Sequence, residues 1–496
     1  MRSRGRVCKM SKFRPFESYA DSLDAGYQLL PFRFTRLRAD QYVLSNQAGE
    51  YHVLERQDLN DFVAHRLDFA GPSYNDLKSK HFLMDQDSDV AIDLLALKVR
   101  TKHRRLADFT GLHMFVVSLR CEHACPYCQV SRQSDDKLAF DMSEETADKA
   151  LELVFRSPSP TIKIEFQGGE SLLNFDLIKY IVKGAKARNE TQGRDIEFVI
   201  ATNLAVVTDE MLAFCQEHRI LISTSLDGPR ELHNKNRPRP GGDSYERAVA
   251  GINRARAALG RDRVGALMTT TSASLTKPKD IIDEYVSLGF DGIFLRPLSP
   301  YGFAVKTKVY EAYGENEWID FYFKGLDHIL ELNFSGLFFV EQFAATILTK
   351  MLTPFDTGYV DLMSPSGIGL GAVVYNYDGD VYASDESRML AEMGDKTFRL
   401  GNVHEDNYED IFLSENLLEP LEQSFANSVP MCIDCAFEPY CGADPVFHHA
   451  TQGDFVGKKP LSAFCNRNMA IFRRLISLME DNDEVRHVFL SWINIR

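Results

Sequence analysis

Residues 113–128 read HMFVVSLRCEHACPYC, an apolar run of strand length that leads into three closely spaced cysteines. The apolar run predicts a buried strand, because short continuous apolar segments are typical of parallel sheets. Cys121, Cys125 and Cys128 then follow in C-x3-C-x2-C spacing on what would be one loop. Three thiolates can hold three irons of a cubane iron–sulfur cluster, since such clusters normally take four cysteine ligands. The fourth iron would then stay open to a small molecule.

A structural zinc site is the alternative for this loop. Such a site needs four ligands, which usually come as paired CxxC elements. His123 could serve as the fourth ligand, but its spacing to the cysteines fits no common zinc finger. The spacing therefore favours an iron–sulfur cluster over zinc.

The composition of the whole chain limits its partners. With 496 residues, of which 44% are hydrophobic and 26% charged, the chain is expected to form two to four globular domains. The net charge of −15 argues against a nucleic-acid partner, because phosphate contacts need clustered cations. We find no apolar stretch long enough for a bilayer and no secretory signal in the basic start, so no membrane partner is expected. Nine cysteines then indicate reduced thiols or metal ligands in a cytoplasmic protein.

Sequence patterns divide the chain into four predicted segments. Residues 1–110 would form a small module of winged-helix size, with short strands around a turn at Asn46–Gly49 followed by helices. Residues 111–309 alternate strand and helix patterns, which predicts an α/β fold with a parallel sheet closed into a barrel or partial barrel. Residues 310–360 look like a helical bridge, and residues 361–496 are a Gly- and Cys-rich tail. We expect little regular structure in this tail before a final helix over Asn468–Met479.

Polar motifs follow the predicted strands of the central segment, where ligands of parallel sheets gather. Gly168, Gly169 and Glu170 follow the second strand, Asn203 follows the third and Ser225 ends the fourth. Two glycines allow a backbone to approach a ligand closely, and the carboxylate could receive an ammonium group. Each motif alone is typical of an ordinary turn. Their shared location indicates a single pocket.

The segments CEHACPYC, QGGES, ATN and SLDGPRELHNKNRPRPGGDSYER together resemble the radical S-adenosylmethionine (radical SAM) superfamily, particularly its peptide- and protein-modifying branch. The last segment is similar to one found in anaerobic sulfatase maturases. The resemblance implies a partial (β/α)6 TIM-like barrel and a SAM-cleaving [4Fe-4S] cluster held by the three cysteines, with Tyr127 as the accompanying aromatic residue. It also implies the remaining SAM contacts: Gly168, Gly169 and Glu170 to the methionine amino group, and Asn203, Ser225 and Arg247 to the ribose and carboxylate.

The tail carries a second set of cysteines, Cys432, Cys435, Cys441 and Cys465. Their chemistry alone fits zinc and an iron–sulfur cluster equally well. Behind a radical SAM domain, however, the spacing resembles the SPASM extension, which carries auxiliary [4Fe-4S] clusters. Two positions where that pattern has further cysteines are occupied here by Ser384 and Pro445. The resemblance therefore implies one auxiliary [4Fe-4S] cluster with four cysteine ligands.

Asp385 is the candidate catalytic residue. Its segment, DGDVYASDES, looks like the maturase segment whose aspartate takes a proton from the substrate. The resemblance implies a general base, whose pKa would be set by burial. An ordinary turn or helix-cap aspartate is the alternative.

Within this branch the chain most resembles the His-Xaa-Ser system radical SAM maturases, through segments such as LRPLSPYGFA and PFRF…LSNQAGEY. The resemblance implies an enzyme that cleaves SAM to a 5′-deoxyadenosyl radical and oxidises or crosslinks a ribosomally made precursor peptide. A His-Xaa-Ser repeat is one candidate sequence for that peptide, and a flavodoxin- or ferredoxin-type protein would supply the electron. Two alternatives stay open: a sulfatase-type maturase that forms formylglycine, and a non-catalytic zinc-binding scaffold.

Overall fold

The computed structural model describes residues 26–86 and 90–493. The chain separates into two compact units, Met1–Val99 and Arg100–Arg496. Part of the predicted module 1–110, namely residues 1–25 and 87–89, lies outside the described residues. Each unit is described by itself.

The first unit is a small α/β structure. A three-stranded antiparallel sheet has the order β2-β3-β4, and β1 pairs with β5 in a second antiparallel ribbon. The turn predicted at Asn46–Gly49 is present, since the Gly49 amide donates to the Asn46 carbonyl oxygen at 3.0 Å. Its winged-helix character stays a prediction. The elements are β1 (Tyr27–Leu29), β2 (Phe32–Arg38), β3 (Gln41–Asn46), β4 (Tyr51–Glu55), α1 (Arg56–Val63), α2 (Pro72–Ser79), β5 (Leu83–Asp85) and α3 (Ala91–Lys102), which runs into the second unit.

The core of this first unit is apolar and aromatic. Leu44 of β3, Phe62 of α1 and Leu77 of α2 are fully buried and pack together. These residues come from one strand of the sheet and from the inner faces of two short helices. Burying them is what lets a unit this small hold a single arrangement.

The second unit is built on a parallel sheet. Five strands lie side by side in the order β10-β9-β8-β7-β6, all parallel, with helices in the connections. β6 is buried from its second residue onward, as a continuous apolar run predicts for a sheet covered on both faces, whereas β8 is buried mainly from Phe198 onward. The elements are β6 (Leu112–Ser118), α4 (Lys137–Phe140), α5 (Glu144–Val154), β7 (Thr161–Gly168), α6 (Phe175–Gln192), β8 (Asp195–Thr202), α7 (Asp209–Glu217), β9 (Leu221–Ser225), α8 (Arg230–Asn236), α9 (Ser244–Leu259), β10 (Val264–Leu267) and α10 (Pro278–Ser287).

The sixth predicted strand is short. β11 (Gly292–Ile293) pairs in parallel with β12 (Val340–Glu341) and forms a ribbon separate from the main sheet. Beyond these strands the chain still runs beside β10, because the Thr270 amide donates to the Arg296 carbonyl oxygen at 3.1 Å. The α/β fold with a partial parallel barrel is thus confirmed. Around this edge lie α11 (Phe303–Lys306), α12 (Glu315–Phe334) and α13 (Gln342–Leu352).

The expectation of little regular structure in the tail is wrong. β13 pairs in parallel with β6, and β14 and β15 continue the same sheet antiparallel, so this sheet has eight strands. The four residues of β13, AVVY, are all buried, but a run this short gives no periodicity to detect. The elements are β13 (Ala372–Tyr375), β14 (Asp380–Tyr382), α14 (Asp385–Ala391), β15 (Arg399–Asn402), α15 (Tyr408–Phe412), α16 (Glu415–Gln423), α17 (Pro445–Gln452), α18 (Ala463–Asp481) and α19 (Asp483–Ser491).

Across residues 26–86 and 90–493, none of the helices combines the length with the apolar character that crossing a bilayer would require.

Candidate active site

A cavity of about 240 Å³ opens at the carboxyl ends of β6 to β10. This is the edge of a parallel sheet where ligands bind. Most of the predicted site residues meet there, although they are far apart in the sequence. The residues that line the cavity include Cys121, Cys125, Tyr127, Cys128, Gly168, Gly169, Asn203, Ser225 and Asp385.

The three-cysteine loop starts where β6 ends and is held by backbone hydrogen bonds. The Cys128 amide donates to the Cys125 carbonyl oxygen at 3.1 Å, and the Ala124 amide donates to the Pro238 carbonyl oxygen at 2.7 Å. Burial raises the pKa of the Cys125 thiol to about 12 and also raises the pKa of Cys121. Buried thiolates therefore need a compensating cation, which the irons of a cluster would supply. Three thiols on one cavity wall thus fit a cubane with one open iron.

His123 is the residue that a zinc site would recruit. The thiol of Cys121, the carboxylate of Glu122 and the ring of His123 do offer ligand atoms within 4.8 Å of one another. Both ring nitrogens of His123 are already engaged, however. Nε2 lies 2.8 Å from the Ser244 hydroxyl, and Nδ1 lies 3.1 Å from the Asn203 side-chain nitrogen. The histidine therefore ties the cysteine loop to its neighbours, which favours the cluster over zinc.

Tyr127 anchors the loop from the other side. Its hydroxyl donates to Oδ2 of the buried Asp227 at 2.6 Å. The Arg237 guanidinium pairs with the same carboxylate at 3.1 Å and lies over the Tyr127 ring, 5.6 Å from its centroid. Arg237 also lines the cavity. Its positive charge offsets part of the rise in the pKa of Cys125 that burial causes. Arg237 belongs to the SLDGPRELHNKNRPRPGGDSYER segment, but the sequence alone gives it no place in the site.

Gly168 and Gly169 bring the end of β7 against the end of β6. The Gly169 amide donates to the Ser118 carbonyl oxygen at 2.8 Å, and the Glu170 amide donates to the Arg120 carbonyl oxygen at 2.7 Å. A Cβ atom on Gly168 would overlap the Ser118 carbonyl oxygen, and one on Gly169 would overlap that of Arg120. The glycines are thus needed for backbone contact directly before the cysteine loop, and they also line the cavity.

We expect Gly169→Ala to lower the free energy of unfolding by about 1–3 kcal/mol, the usual cost of forcing an atom into a filled site. The atoms in the way belong to the backbone and cannot rotate aside. Urea denaturation measures the change. Gly265→Ala in β10 is the matched control, since its Cβ would meet nothing closer than 4.0 Å. Equal stability of the two variants would contradict the explanation.

Glu170 is buried and forms hydrogen bonds within the protein. Its Oε1 accepts from the Thr202 hydroxyl at 2.6 Å and from the Leu172 amide at 3.0 Å, while Oε2 accepts from the Asn203 amide at 2.8 Å. Burial, together with the charge of Glu122, raises its pKa to about 7. Glu170 is outside the cavity lining, and it joins the ends of β7 and β8. Its predicted contact to a methionine amino group stays a prediction.

Arg247 lies away from this site. Its side chain is 47% exposed and pairs with Asp243 at 2.8 Å, one turn earlier on the surface. The structure does not bring it to the cavity lined by Asn203 and Ser225. Its role at the SAM carboxylate therefore has no geometric support in this conformation and stays a prediction.

Asp385 lines the cavity from the first turn of α14. Ser384 caps this helix: its hydroxyl accepts from the Ser387 amide at 3.2 Å. Oδ1 of Asp385 accepts no hydrogen bond from the part of the chain that the structure describes, and lies 3.7 Å from Nε of Arg388. Burial raises the pKa of Asp385 to about 6, against the opposing charge of Arg388. A carboxylate so placed can accept a proton.

The four tail cysteines come together in a second site. Burial raises the pKa of Cys441, and the thiols of Cys435, Cys432 and Cys465 raise it further, which requires the four sulfur atoms to be neighbours. Pro445, which occupies a position where the resembling pattern has cysteine, is the first residue of α17. Four thiols fit either zinc or a [4Fe-4S] cluster.

The chain is similar to known proteins. The family model described as the radical SAM superfamily matches residues 115–271. A serine-type anaerobic sulfatase-maturating enzyme of Bacteroides thetaiotaomicron is 29% identical over 139 residues, which cover 27% of this chain and 33% of that enzyme. The chain thus spans about a third of this relative. A cysteine-type anaerobic sulfatase-maturating enzyme of Clostridium novyi is 22% identical over 381 residues, or 73% of this chain and 92% of that enzyme.

A solved structure has the same fold. Native anSMEcpe with bound AdoMet superimposes with a TM-score of 0.61 at 17% identity, covering 75% of this chain and 99% of that one. The matched family segment begins in β6 and contains both the three-cysteine loop and the glycine pair. Residues 115–271 of this chain therefore form a radical SAM domain.

Proposed function

We propose that this protein is a radical SAM maturase that modifies a ribosomally made peptide by oxidation or crosslinking. The observation that carries the proposal is the convergence of three cysteine thiols, the glycine pair and Asp385 on one cavity. The fold of this superfamily binds SAM and a [4Fe-4S] cluster. When bound, this pair supplies the 5′-deoxyadenosyl radical that removes a hydrogen atom from the substrate.

The chain's own residues have distinct tasks in this proposal. Cys121, Cys125 and Cys128 would hold the cluster, while Asn203 and Ser225 face the space in which SAM would lie. Tyr127, Asp227 and Arg237 keep the loop rigid. Asp385 would accept the proton that the substrate loses on oxidation, because its Oδ1 accepts no hydrogen bond from residues 26–86 and 90–493 and its pKa is raised to about 6.

The four-cysteine site is assigned to one auxiliary [4Fe-4S] cluster. Its task would be to accept the electron from the substrate radical, which makes the net reaction an oxidation. Its place behind a radical SAM core supports this assignment over zinc. Burial of the thiols disfavours free thiolates and so supports a bound metal of either kind. A flavodoxin- or ferredoxin-type protein is proposed as the electron donor, in a cytoplasmic setting.

A precursor peptide is the proposed substrate. Native anSMEcpe has been solved with AdoMet and the Cp18Cys peptide, and that structure superimposes on this chain with a TM-score of 0.59. The small first unit, with its antiparallel sheet, is proposed to bind an extended peptide as an added strand. A peptide with His-Xaa-Ser repeats is the proposed sequence class, on the resemblance described above.

Formylglycine formation is the second candidate. The names of the relatives from Bacteroides thetaiotaomicron and Clostridium novyi favour it. Against it, Ser384 and Pro445 occupy positions where the maturase pattern has cysteines, so the ligands of a second auxiliary cluster are incomplete. A zinc-binding scaffold is disfavoured because both ring nitrogens of His123 are engaged.

Metal analysis and a SAM-cleavage assay test the proposal. We expect about eight irons and eight sulfides per chain after anaerobic purification, as two cubanes require. Dithionite should then produce 5′-deoxyadenosine from SAM. About four irons together with one zinc would reassign the tail site, and a protein with zinc alone would be the scaffold.

Mass spectrometry of co-expressed peptides separates the two enzymatic candidates. A loss of about two mass units from a His-Xaa-Ser peptide would be the sign of oxidation or crosslinking, which removes two hydrogens. Conversion of cysteine or serine to an aldehyde in a sulfatase-derived peptide would support the second candidate instead. The inactive control is Cys121→Ala, with which both peptides should keep their mass.

A further inference from the structure

A smaller cavity of about 50 Å³ adjoins the candidate active site, and the Arg296 side chain lines both. A volume of this size can hold a water molecule, since one needs roughly 10–15 Å³ of such space. The wall is partly aromatic, but its polar groups are unusually dense. The titratable and charged side chains that face it are Asp361, Glu386, Asp444, Arg296, Arg467, Tyr301 and Tyr359.

The charges in this wall do not balance. Three carboxyl groups face two guanidinium groups, which leaves one negative charge if every acid is ionised. A buried uncompensated charge is costly, so an electrically neutral cavity contains one extra proton. Asp361 is the natural holder, because burial and the charges of Glu386 and Asp444 raise its pKa to about 8.

Tyr301 gives an independent sign that the cavity holds a hydrogen-bonding occupant. Its side chain is 1% exposed and faces the cavity. Its hydroxyl has no hydrogen-bond partner among residues 26–86 and 90–493. A buried hydroxyl is rarely left unpaired, and a water in the cavity would satisfy it.

The cavity is connected to Asp385 through the helix that carries it. Asp385 and Glu386 are consecutive residues at the start of α14. Asp385 lines the candidate active site, and Glu386 lines the smaller cavity. Nη2 of Arg296 lies 3.8 Å from Oε1 of Glu386 and bridges the two spaces. On the opposite wall, Asp444 follows Cys441 by three residues. The acidic cavity therefore borders both the proposed base and the segment that carries the proposed electron acceptor.

We infer that this cavity is a proton relay, in which Glu386, Asp361 and the enclosed water take the proton from Asp385 after each substrate oxidation. The inference rests on the proposed function. After loss of a hydrogen atom, the substrate radical would give up one electron, for which an auxiliary cluster at the four cysteines would be the acceptor, and one proton to the Asp385 carboxylate. That proton passes to the Glu386 carboxylate and into the enclosed water, while Asp361, which is not fully buried, releases the proton it already holds to solvent and takes its replacement from the water. The cavity then again contains one extra proton, and Asp385 is ionised for the next turnover.

Infrared spectroscopy tests the stored proton without turnover. The anaerobically purified full-length protein at pH 7 should show a protonated carboxylic acid band that is reduced in Asp361→Asn. Glu386→Gln should shift the titration of this band to lower pH, because removal of a neighbouring negative charge makes Asp361 easier to ionise. Identical spectra and titrations in the wild type and both variants would overturn the assignment.

Turnover measurements test the transfer. With the co-expressed peptide as the substrate, Glu386→Gln should lower the ratio of oxidised peptide to 5′-deoxyadenosine by about tenfold, less than the hundredfold or more expected for loss of a general base. Its 5′-deoxyadenosine formation should stay within about twofold of the wild type. Glu392→Gln is the control, since this residue directly follows the last residue of α14 and lies outside both cavities.

The outcomes separate the two proposals. A ratio in Glu386→Gln equal to that of Glu392→Gln would overturn the relay and leave the proposed function intact. A wild-type protein that forms no 5′-deoxyadenosine would overturn the proposed function and the relay with it. Should Asp361→Asn fail to fold, the infrared titration and the product ratio of Glu386→Gln still decide whether the cavity is a proton relay.

Discussion

Cys125→Ala is expected to abolish 5′-deoxyadenosine formation and to reduce the iron content from about eight to about four per chain, because each cubane holds four irons. Cys125 lines the cavity together with Cys121 and Cys128. Because those two thiols would already be ligands, neither can replace that of Cys125. With only two thiols left in the loop, the cubane would have two protein ligands in place of three and would not be retained. Iron analysis and a SAM-cleavage assay measure both effects.

Cys215→Ala is the matched control for this experiment. Cys215 is also a free cysteine, but it is buried on α7 and does not line the cavity. Its thiol behaves as a small apolar group, so iron content and SAM cleavage should equal those of the wild type. Full activity of Cys125→Ala, or loss of iron in Cys215→Ala, would show that the cluster is held elsewhere.

Asp385→Asn is expected to separate SAM cleavage from product formation. An amide cannot accept the substrate proton, so the yield of oxidised peptide should fall by roughly 10²–10⁴-fold. The 5′-deoxyadenosine yield should persist, because the cluster that cleaves SAM is proposed to be held by Cys121, Cys125 and Cys128 and not by Asp385. Quantification of both products in one reaction measures the separation.

The pH dependence follows from the ionisation of Asp385. Only its carboxylate accepts a proton, and its pKa is raised to about 6. Peptide oxidation by the wild type should therefore decline as the pH falls through about 6, while SAM cleavage follows its own profile. Glu392→Gln is the control, because Glu392 pairs with Arg388 at 3.8 Å much as Asp385 does at 3.7 Å. An equal loss of oxidised peptide in Asp385→Asn and Glu392→Gln would indicate disturbance of Arg388 rather than loss of a base.

The core of the fold follows from local sequence patterns. The apolar runs of β6 to β9 and the helices between them are long and periodic enough to be recognised one by one. β13 escapes this reasoning because its four residues are shorter than a period can reveal. Its partner β6 lies about 260 residues earlier, and no local pattern encodes a pairing at that distance.

The site is predictable to the extent that its chemistry is local. The C-x3-C-x2-C spacing of the three-cysteine loop is visible within eight residues of sequence. The shared location of the residues at the strand ends follows from the topology of a parallel sheet. Arg237 gave a signal only as a matching residue in a longer segment, since its position against Tyr127 depends on tertiary packing. Arg247 shows the reverse: the resemblance implies a SAM contact for it through a gapped match, but its side chain lies on the surface.

The pairing of β13 with β6 has a consequence for how such proteins can be divided. The register from Leu112 to Phe115 against Ala372 to Tyr375 makes the tail an integral neighbour of the strand that leads into the cysteine loop. A shortened gene that ends before Ala372 would expose an apolar edge of β6, which invites aggregation. The tail is therefore not an independent domain. A chimera that exchanges the tail cysteines between relatives has to include β13 to β15 as well.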